Sequence, residues 1–181
     1  KEINKYFEIK LATVFRNEEE KFIPKTSTLN RKNSNIFGSF ETNISKNINF
    51  DYNFAIDNDV SSFEYNNFNA NISLNNLVTT FSFIEENGEM GDANVFASTI
   101  RYKVDENNFV SFKTRRNRKI NLTEYYDLVY EYKNDCLTAA IKYKKTFYQD
   151  SEIKPEENLL FVLTLFPLTT YEYSADDIIN D

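Results

Sequence analysis

The chain has 181 residues, with 21 Lys and Arg against 28 Asp and Glu and a formal charge of −7. It holds no His and one Cys, which excludes a His-based catalytic triad, a His-containing zinc site and an internal disulfide within these residues. The acidic balance opposes a nucleic-acid footprint, and no run approaches the roughly 18 to 20 consecutive apolar residues of a membrane helix.

What remains is a chain rich in strand-forming side chains. Aromatics make up 16%, with 17 Phe and 12 Tyr but only 3 Gly and 3 Pro, a balance that favours strands over disorder. The chain opens at Lys1 without an initiator Met or a signal-peptide pattern, and it reads as a fragment of a longer protein.

Taken in order, Asn4 to Phe15 alternate as a strand with Phe7, Ile9 and Leu11 on one side. A polar connection with Glu18-Glu19-Glu20 and Pro24 follows, with no helix expected. Ile36 to Ser45 form a second strand. Asn47 to Asp57 form a third, where Ile48, Phe50, Tyr52, Phe54 and Ile56 oppose Asn47, Asn49, Asp51 and Asn53. The fourth covers Ser61 to Leu74, with a bulge expected near Asn66-Asn67. Leu77 to Ile84, Ala93 to Val104 and Phe109 to Asn117 continue the series. The chain then runs Tyr126, Leu128, Tyr130 and Tyr132 against Asp127, Val129, Glu131 and Lys133. A tight turn at Asn134-Asp135, with the tolerance for positive φ that such turns use, leads to Leu137, Ile141 and Tyr143 against Lys142 and Lys144. A last strand runs from Leu159 to Leu168.

The expected architecture is therefore all-β, an antiparallel up-and-down meander of about ten strands. Strands of about 9 to 13 residues are long enough to cross a bilayer at a tilt, for which roughly 9 to 11 suffice. Short turns alternate with longer charged connections, as in outer-membrane barrels with short periplasmic turns and long outer loops. That parity puts Asn134-Asp135-Cys136 on the periplasmic side.

The stretch from about residue 115 to 172 also carries YxLxYEYxNDC, an acidic DxxxxPEExLxF loop and a strand ending LTLFPL. These strings resemble the C-terminal end of the LptD family, the outer-membrane lipopolysaccharide-assembly proteins once called organic solvent tolerance proteins. The resemblance implies that residues 1–172 are the C-terminal portion of a large transmembrane β-barrel, with 173–181 an acidic tail. It implies a translocon in the cell outer membrane that inserts lipopolysaccharide into the outer leaflet through the barrel lumen and a lateral gate. The implied partners are lipopolysaccharide, the lipoprotein plug LptE, membrane lipids and the periplasmic transport bridge, reached through an N-terminal domain beyond this chain. No cofactor, metal or catalytic role is implied.

Several residues are candidates for function. Cys136 is either a lone, half-buried thiol or, as the resemblance implies, a disulfide partner of the N-terminal periplasmic domain. Asp135 stands where some family members carry a second cysteine, so one bond is implied. Lys113, Arg115, Arg116, Arg118 and Lys119 are either a solvated strand end or outer-rim contacts for lipopolysaccharide phosphates. Leu159, Phe161, Leu163, Leu165 and Pro167 mark the last strand, which the resemblance makes the lateral gate. Asn47, Asn49, Asp51 and Asn53 are expected to face the lumen or the plug. The acidic pairs fall in loops without a ligand spacing, and no phosphate loop or nucleophile elbow appears, so the chain reads as a non-enzyme. Two other readings stay open: a different outer-membrane barrel such as a porin or transporter, and a soluble secreted β-sandwich binding module.

Overall fold

Period-2 alternation gives each strand one apolar and one polar face, and strands of that kind pair edge to edge. The computed structural model describes residues 5–148 and 155–175. Eleven strands make a sheet in which pairing order follows sequence order. They are β1 (Tyr6–Ala12), β2 (Ile36–Ser45), β3 (Ile48–Ile56), β4 (Phe63–Leu74), β5 (Leu77–Glu86) and β6 (Asn94–Lys103). After them come β7 (Asn108–Asn117), β8 (Leu122–Lys133), β9 (Leu137–Thr146), β10 (Glu156–Leu165) and β11 (Thr169–Ser174). The described residues thus form an all-β antiparallel meander, with eleven strands where about ten were expected.

The differences have local causes. The last expected strand, Leu159 to Leu168, is two elements: β10 stops at Leu165, and Phe166-Pro167-Leu168 turn the chain into β11. Pro167 has no N–H to give to a ladder, and its peptide bond to Phe166 is cis. β11 runs on through Tyr173 and Ser174, so the expected tail boundary at 173 cuts a strand; residues 176–181 lie outside the described ones. The bulge of β4 sits at Glu64, between the pairs Ala55↔Tyr65 and Ile56↔Phe63, whereas Asn66 and Asn67 pair in regular register with Phe54 and Asn53. One turn of 3-10 helix, Lys25–Ser27, occupies the β1–β2 connection where no helix was expected.

Contacts divide the chain into two compact units. The first runs through Ile72 and takes in Phe81–Phe96. There the loops between strands are knitted together by polar groups. Asn35 is fully buried, and its amide donates to Glu64 Oε2 at 2.6 Å. Arg31 reaches Asn35 Oδ1 at 3.3 Å and Glu89 Oε2 at 2.9 Å, while Asn87 N–H donates to the Glu64 carbonyl. Buried polar groups in a connection need such partners, and Thr28, Ser34 and Asn35 are the largest fully buried side chains described.

The second unit comprises Ser73–Thr80 and the residues from Ala97 onward. Its short turns lie side by side: Lys103 N–H donates to Asn76 O, Lys133 N–H to Asn107 O, and Phe166 N–H to Cys136 O. Along the whole chain, the connections 13–35, 57–62, 87–93, 118–121 and 147–155 alternate with 46–47, 75–76, 104–107, 134–136 and 166–168. The long ones all share one parity, although 118–121 is no longer than 104–107.

Candidate membrane-facing band and its polar reverse

In the second unit, strand register converts alternation into rows of side chains. Residues paired across strands lie on one face, so Val110, Tyr130, Ile141, Phe161 and Tyr173 form a continuous apolar row from β7 to β11. Phe112, Leu128, Tyr143 and Leu159 form the row on one side of it. Tyr132, Ala139, Leu163 and Tyr171 form the row on the other. Among the described residues nothing covers this face: Ile141 is 43% exposed, Leu128 45%, Leu163 41% and Phe161 38%. Among the described residues the buried apolar side chains are Ala55, Ala70, Ala140 and Ala175 alone. A water-soluble sandwich does the reverse, burying its large aliphatic and aromatic side chains between sheets.

Both margins of the band are aromatic. Toward the long connections, Tyr126 stacks on Phe112 at 6.0 Å and meets Phe147 edge-on at 5.7 Å. Lys145 lies over the Phe147 ring and pairs with Glu157. Toward the short turns, Tyr130 donates to Asn108 Oδ1, and the Tyr132 hydroxyl accepts from Asn107 and Asn134. Amphipathic rings with one wet end are the residues that flank an apolar membrane band. A strand of 10 residues such as β9 rises roughly 30 Å along its axis. At a barrel tilt of about 40° that is ~23 Å of height, close to the ~25 Å apolar band of outer-membrane barrels.

The reverse face of the same strands is polar. Lys113, Asp127, Lys144 and Asn158 form one row, and Ser111, Val129, Lys142 and Leu160 the next. Arg101 pairs with Glu131 at 3.3 Å and lies over the Phe109 ring.

The first unit repeats the division. Ile9, Phe40, Tyr52 and Phe68 share a row, with Phe7, Ile9 and Leu11 each more than half exposed. On the other face Glu41, Asp51 and Asn69 are aligned, with Asn69 donating to Asp51 Oδ1 at 2.8 Å. Of the four residues expected on the polar side, Asn49, Asp51 and Asn53 share that face. Asn47 does not: it occupies the β2–β3 turn, its N–H donating to Ser45 Oγ.

Cys136 is exposed and free, in the three-residue β8–β9 turn. The turn is closed by the Asn134 side chain, whose Oδ1 accepts from the N–H groups of Cys136 and Leu137 at 3.0 and 2.8 Å. This Asx-type closure replaces the positive φ expected at Asn134-Asp135; positive φ falls instead at Asn75, Asn121, Thr28 and Val60. The basic cluster is split. Lys113 and Arg115 lie on the polar face, Arg115 bound to Glu124 at 2.8 Å, while a register shift after Arg115 precedes Arg116, which is held by Asn121. Arg118 lies in the β7–β8 turn with Lys119, whose N–H donates to Asn117 Oδ1.

The expected gate residues Leu159, Phe161, Leu163 and Leu165 lie in β10, bonded to β9 on one side and β11 on the other. They are therefore not at a sheet edge, and Pro167 is in the turn beyond. β11 is the outermost strand at that side, with all six residues exposed. No family model, curated protein or solved structure matches this chain.

Proposed function

We propose that this chain is the C-terminal part of an outer-membrane β-barrel of the LptD type, a translocon that delivers lipopolysaccharide to the outer leaflet. The observation that carries the membrane reading is the uncovered apolar face of β7 to β11 with its aromatic margins. In water, exposing such rows forfeits about 25 cal/mol for every Å² of apolar surface; in lipid it is the required arrangement. The lipopolysaccharide reading rests further on the resemblance of residues 115–172. Sugars would pass along the polar face as the lumen wall, the lipoprotein plug LptE would sit against that wall, and acyl chains would leave at a seam formed by β11. Cys136 would tether the short-turn end to the N-terminal periplasmic domain of the same protein. The chemistry is passage, without covalent steps.

Depleting the full-length protein from its Gram-negative host tests this reading. Surface labelling of lipopolysaccharide should fall while inner-membrane lipopolysaccharide rises. Normal surface lipopolysaccharide with a loss of small-solute uptake would make the chain a porin or transporter instead.

A further inference from the structure

The β5–β6 connection abuts the buried knot at Asn35 and carries the one Asn-Gly pair in the sequence, Asn87-Gly88. Both residues are exposed, as is Glu89. Gly88 has φ +65 and lies against the Glu64 carboxylate, so that a Cβ there would stand 3.3 Å from Glu64 Oε1. A side chain at that position is strained by backbone and neighbour alike, so the turn keeps its glycine. Asn87 is fixed through its backbone, whose N–H donates to the Glu64 carbonyl at 2.8 Å. Its side chain is held less firmly. The amide meets the Phe63 carbonyl at 3.4 Å, beyond the roughly 3.2 Å limit of a good N–H···O bond. Among the described residues the Gly88 N–H makes no hydrogen bond. Asparagine is a thermolabile residue, and its route of decay is ring closure by the following backbone nitrogen. Here that nitrogen is free and no Cβ shields it.

We propose that Asn87 is a self-modification site, converting to aspartate and isoaspartate and loosening the hold on the β1–β2 connection. The Gly88 nitrogen attacks Asn87 Cγ and gives up its proton, the bond from Cγ to the side-chain nitrogen breaks, and ammonia leaves. The product is a five-membered succinimide, which water opens at either carbonyl. Attack on Cγ restores the ordinary backbone with an aspartate. Attack on the main-chain carbonyl routes the backbone through the side chain, one methylene longer. Either product adds a carboxylate near Glu64, Glu86 and Glu89, and like charges at close range repel. Arg31 is the cation in reach, 2.9 Å from Glu89 and 3.9 Å from Glu64. The extra methylene of isoaspartate falls between the Asn87 N–H, fixed on the Glu64 carbonyl, and Glu89, fixed on Arg31, so one of these bonds must yield. Arg31 also donates to Asn35 Oδ1 at 3.3 Å, which carries the change into the knot. The step consumes only water and is the same whether the apolar face meets lipid or water.

Peptide mass spectrometry of the folded full-length protein, aged in mild acid and in mild alkali, tests the site, with isoaspartate read by enzymatic methylation. The peptide holding Asn87 should gain the mass of an amide-to-carboxylate exchange before any other asparagine does. The change should run faster in alkali, where the Gly88 nitrogen loses its proton more readily. Asn87→Gln must close a six-membered ring and should stay unmodified at that position. Ser34 N–H donates to Val14 O and Asn35 N–H to Thr28 Oγ1. Protection of these two amides, relative to the free-chain exchange rate, should fall as the modified fraction grows, and stay constant in aged Asn87→Gln. An Asn87 that outlasts the other asparagines overturns the site. Extensive modification with unchanged protection at Ser34 and Asn35 overturns the loosening.

Discussion

Ile141→Arg separates the membrane reading from the soluble one by magnitude. Ile141 is the fifth residue of β9, at mid-strand, flanked on the apolar face by Tyr130 and Phe161. If that face meets lipid, the guanidinium is placed near the bilayer midplane, where Arg or Lys costs about 2 to 4 kcal/mol. At 1.4 kcal/mol for each factor of ten, the folding equilibrium falls roughly 30- to 700-fold. If the face meets water, Ile141 is already 43% exposed and the change should stay within about 0.5 kcal/mol. Lys142→Gln, one residue on and facing the polar side, is the control and should change little in either case. Guanidinium titration of the full-length protein refolding into lipid vesicles reads the difference. The reasoning is refuted if Ile141→Arg folds like the parent protein, or if Lys142→Gln is the more damaging of the two.

Three further outcomes are expected. Gly38 pairs with Phe54, whose ring lies where a Cβ at Gly38 would stand; Gly38→Ala should destabilise by about 1 to 3 kcal/mol through overpacking, and adding Phe54→Leu should recover most of it in the same titration. Asp57, in the β3–β4 loop, has its carboxyl held well below the ordinary 3.8 by the Ser61 hydroxyl first, then by the N–H groups of Ser61 and Ser62. Because the folded value is the lower one, the loop's contribution is present above about 3.8 and lost as pH falls through the folded value. Protection of the Ser61 and Ser62 amides, measured as exchange relative to the free-chain rate at each pH, should fall under acid, but not in Asp57→Asn, whose loop is already loosened at neutral pH. Finally, the full-length protein should migrate differently on reducing and non-reducing gels, and Cys136→Ser should abolish the difference; identical migration in every lane would leave Cys136 a free thiol.

The parts of this fold legible in the sequence are those governed by a period of two. β8 and β9 declare their faces residue by residue, and Asn49, Asp51 and Asn53 announce the polar side of β3. β11 is hidden because Phe166-Pro167-Leu168 prolongs an apolar run, so that a turn reads as more strand and the residues expected on a last strand fall in β10. The row of Lys113, Asp127 and Lys144 is hidden because its members meet only through register, which pairs residues far apart in the chain. The adjacent Lys144-Lys145 conceals that one points to the polar face and the other to the apolar face, where Glu157 neutralises it. The buried knot at Thr28, Ser34 and Asn35 has no periodic signature at all: polar residues in a long connection look alike whether they are solvated or locked by Glu64.

Cysteine scanning along β9 tests the central claim most directly. Single cysteines at Thr138, Ala139, Ile141, Lys142, Tyr143 and Lys144 would be introduced into full-length protein carrying Cys136→Ser and treated with a water-soluble maleimide in outer membranes. Thr138, Lys142 and Lys144 share the polar face, and Ala139, Ile141 and Tyr143 the apolar one. The account predicts labelling at the first three and protection at the second three, a strict alternation of lumen and lipid. Equal labelling at all six positions would mean that both faces meet water, and this chain would not be part of a membrane barrel.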